Sequence, residues 1–347
     1  MAKQRKKQSR SPMLVFVVAV VVLVVTAYVR TRPGPGVQTV SGGDAAKPPV
    51  PVEVESDHDP AQTVDKEDSA GGEAALSHTA PSPGALPWME DKPSPPADPN
   101  QMAEQLQAGR DARTRDDLVA ARSHLSKALL AGVQPQDAAA IRQELVSLAE
   151  ETIFSSRVLQ DDPLTDAYVI QPGDSLARIA QAHDVTADLL ARINEIENKA
   201  LIRAGRRIKV IHGPFHAVVS KSTFDLDVYL QDTFVKHFKV GLGTDGCTPT
   251  GDWICKDKLP NPTFYPPRGG QIIPGGHPEN PLGERWIGLK GVGGEAVGQL
   301  RYGLHGTIEP DTIGKAVSMG CIRMHNREVE QVYEMFVEGQ SHILVRE

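Results

Sequence analysis

Residues 31–99 decide where this chain can fold. They hold Pro33, Pro35, Pro48, Pro49, Pro51, Pro81, Pro83, Pro87 and the run Pro93-Ser-Pro-Pro-Ala-Asp-Pro99, mixed with glycine, serine and scattered acids. Such a stretch buries too little apolar surface to offset the entropy of ordering it. The expected state of 30–100 is a disordered, Pro-rich linker whose use is reach. Packed structure must therefore come from the residues after it. The 347-residue length suggests two or three units there.

The residues before the linker are of another kind. Lys3, Arg5, Lys6, Lys7 and Arg10 precede an uncharged run from Met13 to Val29 made mostly of valine, leucine, alanine and phenylalanine. As a helix this run spans about 25 Å, at the short end of a membrane crossing. The expectation is a basic cytoplasmic flank over 1–12 and a transmembrane anchor over 13–29, with the remainder sent outward. A cleavable signal peptide is the rival, because Val25-Thr-Ala27 offers small residues, and the product would then be secreted. Arg30 and Arg32 just after the run favour the uncleaved anchor. Either way the rest of the chain is expected on the extracytoplasmic, periplasmic side of the cell envelope. A net charge of -7, unevenly spread, argues against nucleic acid as a partner.

Helical periodicity begins at Gln101. Leu118, Ala121, Leu125, Ala128 and Leu129 recur at helix spacing, as do Ile141, Leu145, Leu148 and Ala149, with Gly132-Val-Gln-Pro135 as the break. Residues 101–158 are expected to form a helical hairpin, similar to a single tetratricopeptide unit, that serves packing or spacing. From 166 to 211 the order reads strand, helix, helix, strand. Tyr168 to Asp174 is a strand running into a Pro172-Gly173 turn, and Asp174 or Ser175 caps a helix carrying Leu176 and Ile179. A second helix with Leu189, Leu190 and Ile193 ends at Asn194, and Arg207 to Ile211 closes the unit.

This segment resembles a LysM module. The match runs through Tyr168, Val169, Gln171-Pro-Gly-Asp-Ser-Leu176, Ile179-Ala180, Val185-Thr186, Leu190, Ile193-Asn194, Ile202, Gly205 and Ile208. The resemblance implies binding to the N-acetylglucosamine backbone of peptidoglycan or chitin. By position it implicates Gly173, Asp174, Ser175 and Leu176 on one side of a groove, with Ile193, Asn194 and Ile196 on the other.

From Gly213 onward short apolar or alternating runs (Ala217–Val219, Leu226–Leu230, Val235–Val240) lie between polar turns, and Gly- and Pro-rich loops are expected as far as Pro281. Only Arg327 to Gly339 looks helical. The expectation for 213–347 is a mostly antiparallel β domain with one terminal helix. Within it His305 and Cys321 stand sixteen residues apart. A thiol becomes a useful nucleophile when something takes its proton or lowers its pKa, and a nearby imidazole does so. Gly303, Gly306 and Gly320 beside them suggest backbone bent closely around a reacting group.

Thr248-Pro-Thr-Gly251, Asn280-Pro-Leu-Gly283, His305-Gly-Thr307 and Ser318-Met-Gly-Cys-Ile-Arg-Met324 together resemble an L,D-transpeptidase (YkuD-type) catalytic domain. Met319 stands at a variable position where many members carry His. The resemblance implies a β-sandwich-like fold and an enzyme that cross-links peptidoglycan outside the cytoplasm, without cofactor or metal. It implies Cys321 as the nucleophile that forms a thioester on a stem peptide, and His305 as its base. It places the oxyanion against backbone N–H groups around Met319, Gly320 and Cys321. Arg323 either orients a substrate carboxylate or pairs with an acid. Ser318 is expected to bond within the loop, and the carbonyl of Gly303 or Gly306 to orient the imidazole. Thr307 is the other candidate for orienting the imidazole, and Tyr302 either lines the substrate cleft or is a core aromatic. The product is a 3→3 cross-link when an amine resolves the thioester. Water would make the enzyme an L,D-carboxypeptidase, and an envelope protein could also be the acceptor. A non-catalytic wall-binding protein is the reading of another class. Cys247 and Cys255 leave a disulfide open but read better as buried free thiols. His216, His237 and His342 read as surface or half-buried, and Phe264–Pro281 as a flap.

Overall fold

The computed structural model describes residues 99–347, with Arg268 excepted. The basic flank, the apolar run 13–29 and the linker up to residue 98 lie outside the described residues. Among the described residues no helix is long and apolar enough to cross a membrane.

Three helices come first: α1 (Pro99–Thr114), α2 (Leu118–Leu130) and α3 (Pro135–Thr152). Asp117 caps α2 by accepting from the Ala120 N–H at 3.1 Å, and α3 opens with proline in its first turn, where no N–H is needed. Leu118, Leu125, Leu129, Ile141, Leu145 and Leu148 are buried, and they pack against Val218, Tyr229, Phe234 and Leu344 of the sheet described below. Ser126 Oγ accepts from the Phe234 N–H at 3.2 Å, and Arg142 pairs with Asp227 at 2.8 Å. The helices thus cover one face of the sheet, burying an apolar stripe that such a small unit could not bury alone.

The βααβ unit follows. Strand β1 (Thr165–Val169) pairs antiparallel with β2 (Arg207–Ile211), from Thr165 opposite Ile211 to Val169 opposite Arg207. Between them lie α4 (Leu176–Ala182) and α5 (Ala187–Ile193). Ser175, not Asp174, caps α4, accepting from the Arg178 N–H at 3.3 Å. The Asp174 carboxylate instead accepts from the Tyr168 hydroxyl at 2.9 Å and the Gln171 N–H at 2.7 Å, which fixes the turn.

This unit is not a bead on a string. Its buried Leu176, Ile179, Leu190, Ile193 and Ile208 belong to the same continuous core as the large sheet that follows it. Phe154 stacks on Phe215 at 6.1 Å, and Arg192 pairs with Glu334 at 2.6 Å. Lys209 is buried, with its ammonium donating to the carbonyls of Thr152, Ser155 and Arg157. Burial pulls its pKa down to about 8. Arg122 and Asp162 form a buried ion pair at 2.6 Å between helix α2 and the segment leading to β1.

The remaining strands are β3 (Phe215–Ser220), β4 (Asp225–Leu230), β5 (Thr233–Lys239), β6 (Leu242–Gly243), β7 (Gly251–Pro260), β8 (Arg285–Gly291), β9 (Tyr302–His305), β10 (Ala316–Ser318), β11 (Ile322–Arg323) and β12 (His342–Arg346). Helix α6 (Asn326–Met335) lies between β11 and β12. Eight strands make one sheet in the order β11-β9-β8-β7-β12-β3-β4-β5, while β6 and β10 form a separate parallel pair. Within the sheet β12–β3 and β11–β9 are parallel and the other pairs antiparallel. Gly241, just past β5, exchanges two 2.8 Å hydrogen bonds with Arg323 of β11. The sheet therefore curls until the chain leaving one edge strand meets the other. One curled sheet does what a sandwich would do with two facing ones.

Two expectations need correction here. The region read as Gly- and Pro-rich loops contains β7, a strand near the middle of the sheet. Its inward Trp253 and Cys255 are 1% and 0% exposed, and pairing on both sides outweighs the flanking proline and charges. His216 is buried at 7% exposure rather than half-exposed, because it faces His342 across β3 and β12 at 5.8 Å. Burial and that neighbour hold its pKa down at about 4. The segment Phe264–Pro281 joins β7 to β8. It is tied at its base by buried Asn280, which donates to the carbonyls of Pro262 at 2.8 Å and Pro274 at 3.2 Å.

Candidate active site

Strand pairing sets the thiol and the imidazole on neighbouring strands, with Cys321 Sγ directed at the Arg301 carbonyl at 3.9 Å. Ile322 lies opposite Leu304 and Arg323 opposite His305 in the parallel β11–β9 pair. One step back in the same register sets Cys321 beside Gly303, whose N–H meets the sulfur. Side chains alternate along a strand, so Cys321, Arg323 and His305 share one face. Ile322 and Leu304 point the other way, at 2% and 0% exposure, into the core. Apolar alternation thus sets which residues face outward together.

His305 is buried at 5% exposure, and its Nδ1 donates to the Gly306 carbonyl at 2.6 Å. A carbonyl only accepts, so Nδ1 carries the proton and Nε2 is the basic nitrogen. Burial holds the imidazole down at about 4, and Arg323 adds to this against the Gly306 bond. Burial likewise raises the Cys321 thiol above its ordinary value, opposed by the Gly303 N–H and by Arg323. At neutral pH the resting pair is a neutral thiol and a neutral imidazole.

The turn before Cys321 is tightly specified. Gly320 adopts φ 125°, and a side chain there would come within 2.6 Å of the Tyr302 ring and 2.7 Å of the Cys247 carbonyl. Thr248 Oγ1 donates to the Gly320 carbonyl at 2.9 Å and accepts from the Gly243 N–H at 2.9 Å. Ser318 Oγ donates to the Cys321 carbonyl at 2.7 Å and accepts from the Gly320 N–H at 3.1 Å. The Gly320 amide is therefore already engaged, while Met319 is exposed. Tyr302 is half-buried and packs on Trp253 at 5.0 Å. Arg323 pairs with Glu309 at 2.8 Å, and its Nε is buried without a partner. Thr307 organises the loop after His305: its N–H donates to Asn326 Oδ1 at 2.9 Å and its hydroxyl accepts from Glu309 N–H at 3.0 Å.

Sequence reasoning passed over three residues at this site: Trp286, stacked on His305, Glu309 on Arg323, and Asn326 under the Gly306–Thr307 turn. Only strand register and loop closure bring them in. Of the other thiols, Cys247 is exposed beside the catalytic turn and Cys255 is buried, both free. The reading of both as buried is therefore wrong for Cys247, which sits in the turn ahead of β7. Burial pushes the Cys255 thiol up to about 12.

The groove residues expected in the βααβ unit divide. Gly173 is exposed, and Asp174 and Ser175 are half-buried at the β1–α4 turn. Leu176, Ile193 and Ile196 are core residues at 1%, 2% and 8% exposure. Asn194 is 6% exposed, and its side chain joins Leu190 and Lys209. These four side chains are packed in the core of the unit.

Comparison with known proteins matches two segments of the chain. Residues 214–345 match the L,D-transpeptidase catalytic domain and 168–210 the LysM domain. A Bacillus subtilis protein named as an L,D-transpeptidase, YqjB, is 40% identical over 128 residues, which cover 37% of this chain and 69% of that one. Another so named, YkuD of Bacillus licheniformis, is 32% identical over 50% of this chain and 94% of its own length. Among solved structures, an L,D-transpeptidase from Mycobacterium smegmatis is 14% identical, covering 41% of this chain and 64% of that one, with a TM-score of 0.29. With the thiol and imidazole on one face of neighbouring strands, in the segment that aligns with these relatives, the chain belongs to the L,D-transpeptidase family of YkuD type, with a LysM domain ahead of the catalytic one.

Proposed function

We propose that the protein is a peptidoglycan L,D-transpeptidase working through a Cys321 thioester. The observation that carries this is the placement of Cys321 and His305 on one face of adjacent paired strands, with Nε2 of His305 left as the base. In the first half-reaction His305 takes the thiol proton as sulfur attacks the diaminopimelate carbonyl of a tetrapeptide stem. The C–S bond forms, the amide C–N bond breaks, and the proton leaves on the released D-alanine. In the second, the side-chain amine of another stem attacks the thioester, the C–S bond breaks, and the thiol is restored as a 3→3 link forms. A thiol and imidazole both neutral at rest suit this sequence, since His305 can accept and return one proton in each half-reaction, first from the thiol to D-alanine and then from the amine to the sulfur.

Backbone N–H groups of the Met319–Cys321 turn hold the oxyanion, with the Cys321 amide the main donor, since Gly320 is engaged by Ser318. Arg323 stabilises negative charge beside the dyad. The LysM domain holds glycan through the exposed backbone of its β1–α4 turn, around Gly173 and Asp174. The N-terminal run 13–29 anchors the chain on the extracytoplasmic side of the membrane, where this substrate resides.

The test incubates the full chain with purified tetrapeptide muropeptides and follows products by mass spectrometry beside Cys321→Ala. Dimers carrying 3→3 links support the proposal. Tripeptides alone point to hydrolysis, and no thiol-dependent change overturns both.

A further inference from the structure

We propose that Trp286 is a positioning residue for the dyad: its indole, laid across a pair of glycines, fixes the plane of the His305 imidazole and keeps water from it. The inference rests on His305 being the base. Trp286 lies directly opposite His305 in the antiparallel β8–β9 pair, and the two rings stack with centroids 5.8 Å apart and planes 17° apart. The next pair on the same face is Gly288 opposite Gly303. A side-chain carbon on Gly303 would come within 2.6 Å of the indole Cη2 and Cζ2, and one on Gly288 would meet the Asp257 carboxylate first and the indole Nε1 at 3.0 Å. The indole therefore occupies the space that the missing side chain of Gly303 leaves, and shares that at Gly288 with the Asp257 carboxylate.

That position matters for the thiol too. Gly303 is the residue whose N–H meets the Cys321 sulfur, so the benzene edge of the indole reaches the strand position beside the nucleophile. Trp286 is only half-buried, whereas its neighbours Ile287 and Leu289 point to the opposite face and fill the core. Packing of the core does not need the indole. The imidazole does: its Nδ1 is held by Gly306, but one hydrogen bond does not stop the ring from tilting. The charged group acting on His305 is Arg323, itself paired with Glu309; the Cys321 thiol shares the same face, and the Asp257 carboxylate lies beyond the indole at Gly288. The indole adds no charge to these, so its contribution is shape and exclusion of water, which keeps the base neutral.

Full-length Trp286→Leu and Trp286→Phe test this. The Leu variant should lose about 10–100-fold in kcat for D-alanine release with little change in KM. Its His305 midpoint, followed by NMR of histidine-labelled protein, should rise from about 4 toward the ordinary value. The Phe variant should recover most of the rate and the low midpoint. Full activity in the Leu variant overturns the proposal, as do Leu and Phe variants equally impaired with the His305 midpoint unmoved. The titration needs no turnover, so it judges Trp286 even if the stem peptide proves to be the wrong substrate.

Discussion

Asn194 of the LysM domain and His305 of the catalytic sheet are buried almost equally, at 6% and 5% exposure, and the molecule uses them in opposite ways. Asn194 commits its whole side chain to architecture. Its Nδ2 donates to the carbonyls of Leu190 at 2.9 Å and Lys209 at 2.8 Å, and its Oδ1 accepts from the Lys209 N–H at 2.7 Å. Helix α5 is thereby locked to strand β2. His305 commits only Nδ1, to Gly306, and Nε2 takes no partner among the described residues. A buried polar group with every valence satisfied holds a fold together. One with a basic nitrogen left over, on the same face as a thiol, is placed for chemistry.

The strongest way to break this contrast is His305→Ala. Turnover should fall by ~10²–10⁴, the usual effect of losing a general base, while the thermal midpoint moves by only a few degrees. Calorimetry and D-alanine release check the two halves. Equal loss of stability and rate would make His305 architectural as well.

The pH dependence of stability comes next. His305 and His216 are each held at about 4 when folded, below the ordinary 6.5. Above 6.5 both states are neutral and the contribution is full. As pH falls from 6.5 through 4 the unfolded chain binds protons that the folded one refuses, so stability is lost. The loss is on the order of 3 kcal/mol per histidine. Denaturant melts at pH 7 and 4.5 should show it, and His216→Asn should flatten the slope.

Asn194→Ala should cost about 1–3 kcal/mol, because it strands buried backbone groups of Leu190 and Lys209. Denaturant unfolding of the full chain measures this, and alkylation of Cys321 per folded molecule should stay unchanged. Weaker glycan binding at undiminished stability would put Asn194 back in the groove. The smallest effect is Ser175→Ala, with a loss of about 1 kcal/mol from the α4 cap.

How far the sequence speaks differs between the two regions for a physical reason. In the catalytic segment Cys321, His305 and Gly320 could be picked out because reactivity and a φ of 125° require particular residue types. Trp286 and Asn326 could not, since nothing local marks which strand will pair with His305 or which helix start will meet Gly306. In the LysM domain the order of elements could be read from periodicity and caps. Groove position alone, however, could not separate Leu176, Ile193, Asn194 and Ile196 from the core they fill. The strand β7 was hidden by glycine, proline and charge, because its stability comes from neighbours on both sides. Docking of the helices onto Val218, Phe234 and Leu344 is a tertiary fact with no local signal.

The most direct test is to mix the full chain briefly with a tetrapeptide stem and weigh the intact protein, then map the adduct. A tripeptide joined to Cys321, absent in Cys321→Ala and slow to form in His305→Ala, is the predicted result. Release of D-alanine that persists in Cys321→Ala, with no adduct on the wild-type thiol, would contradict the account.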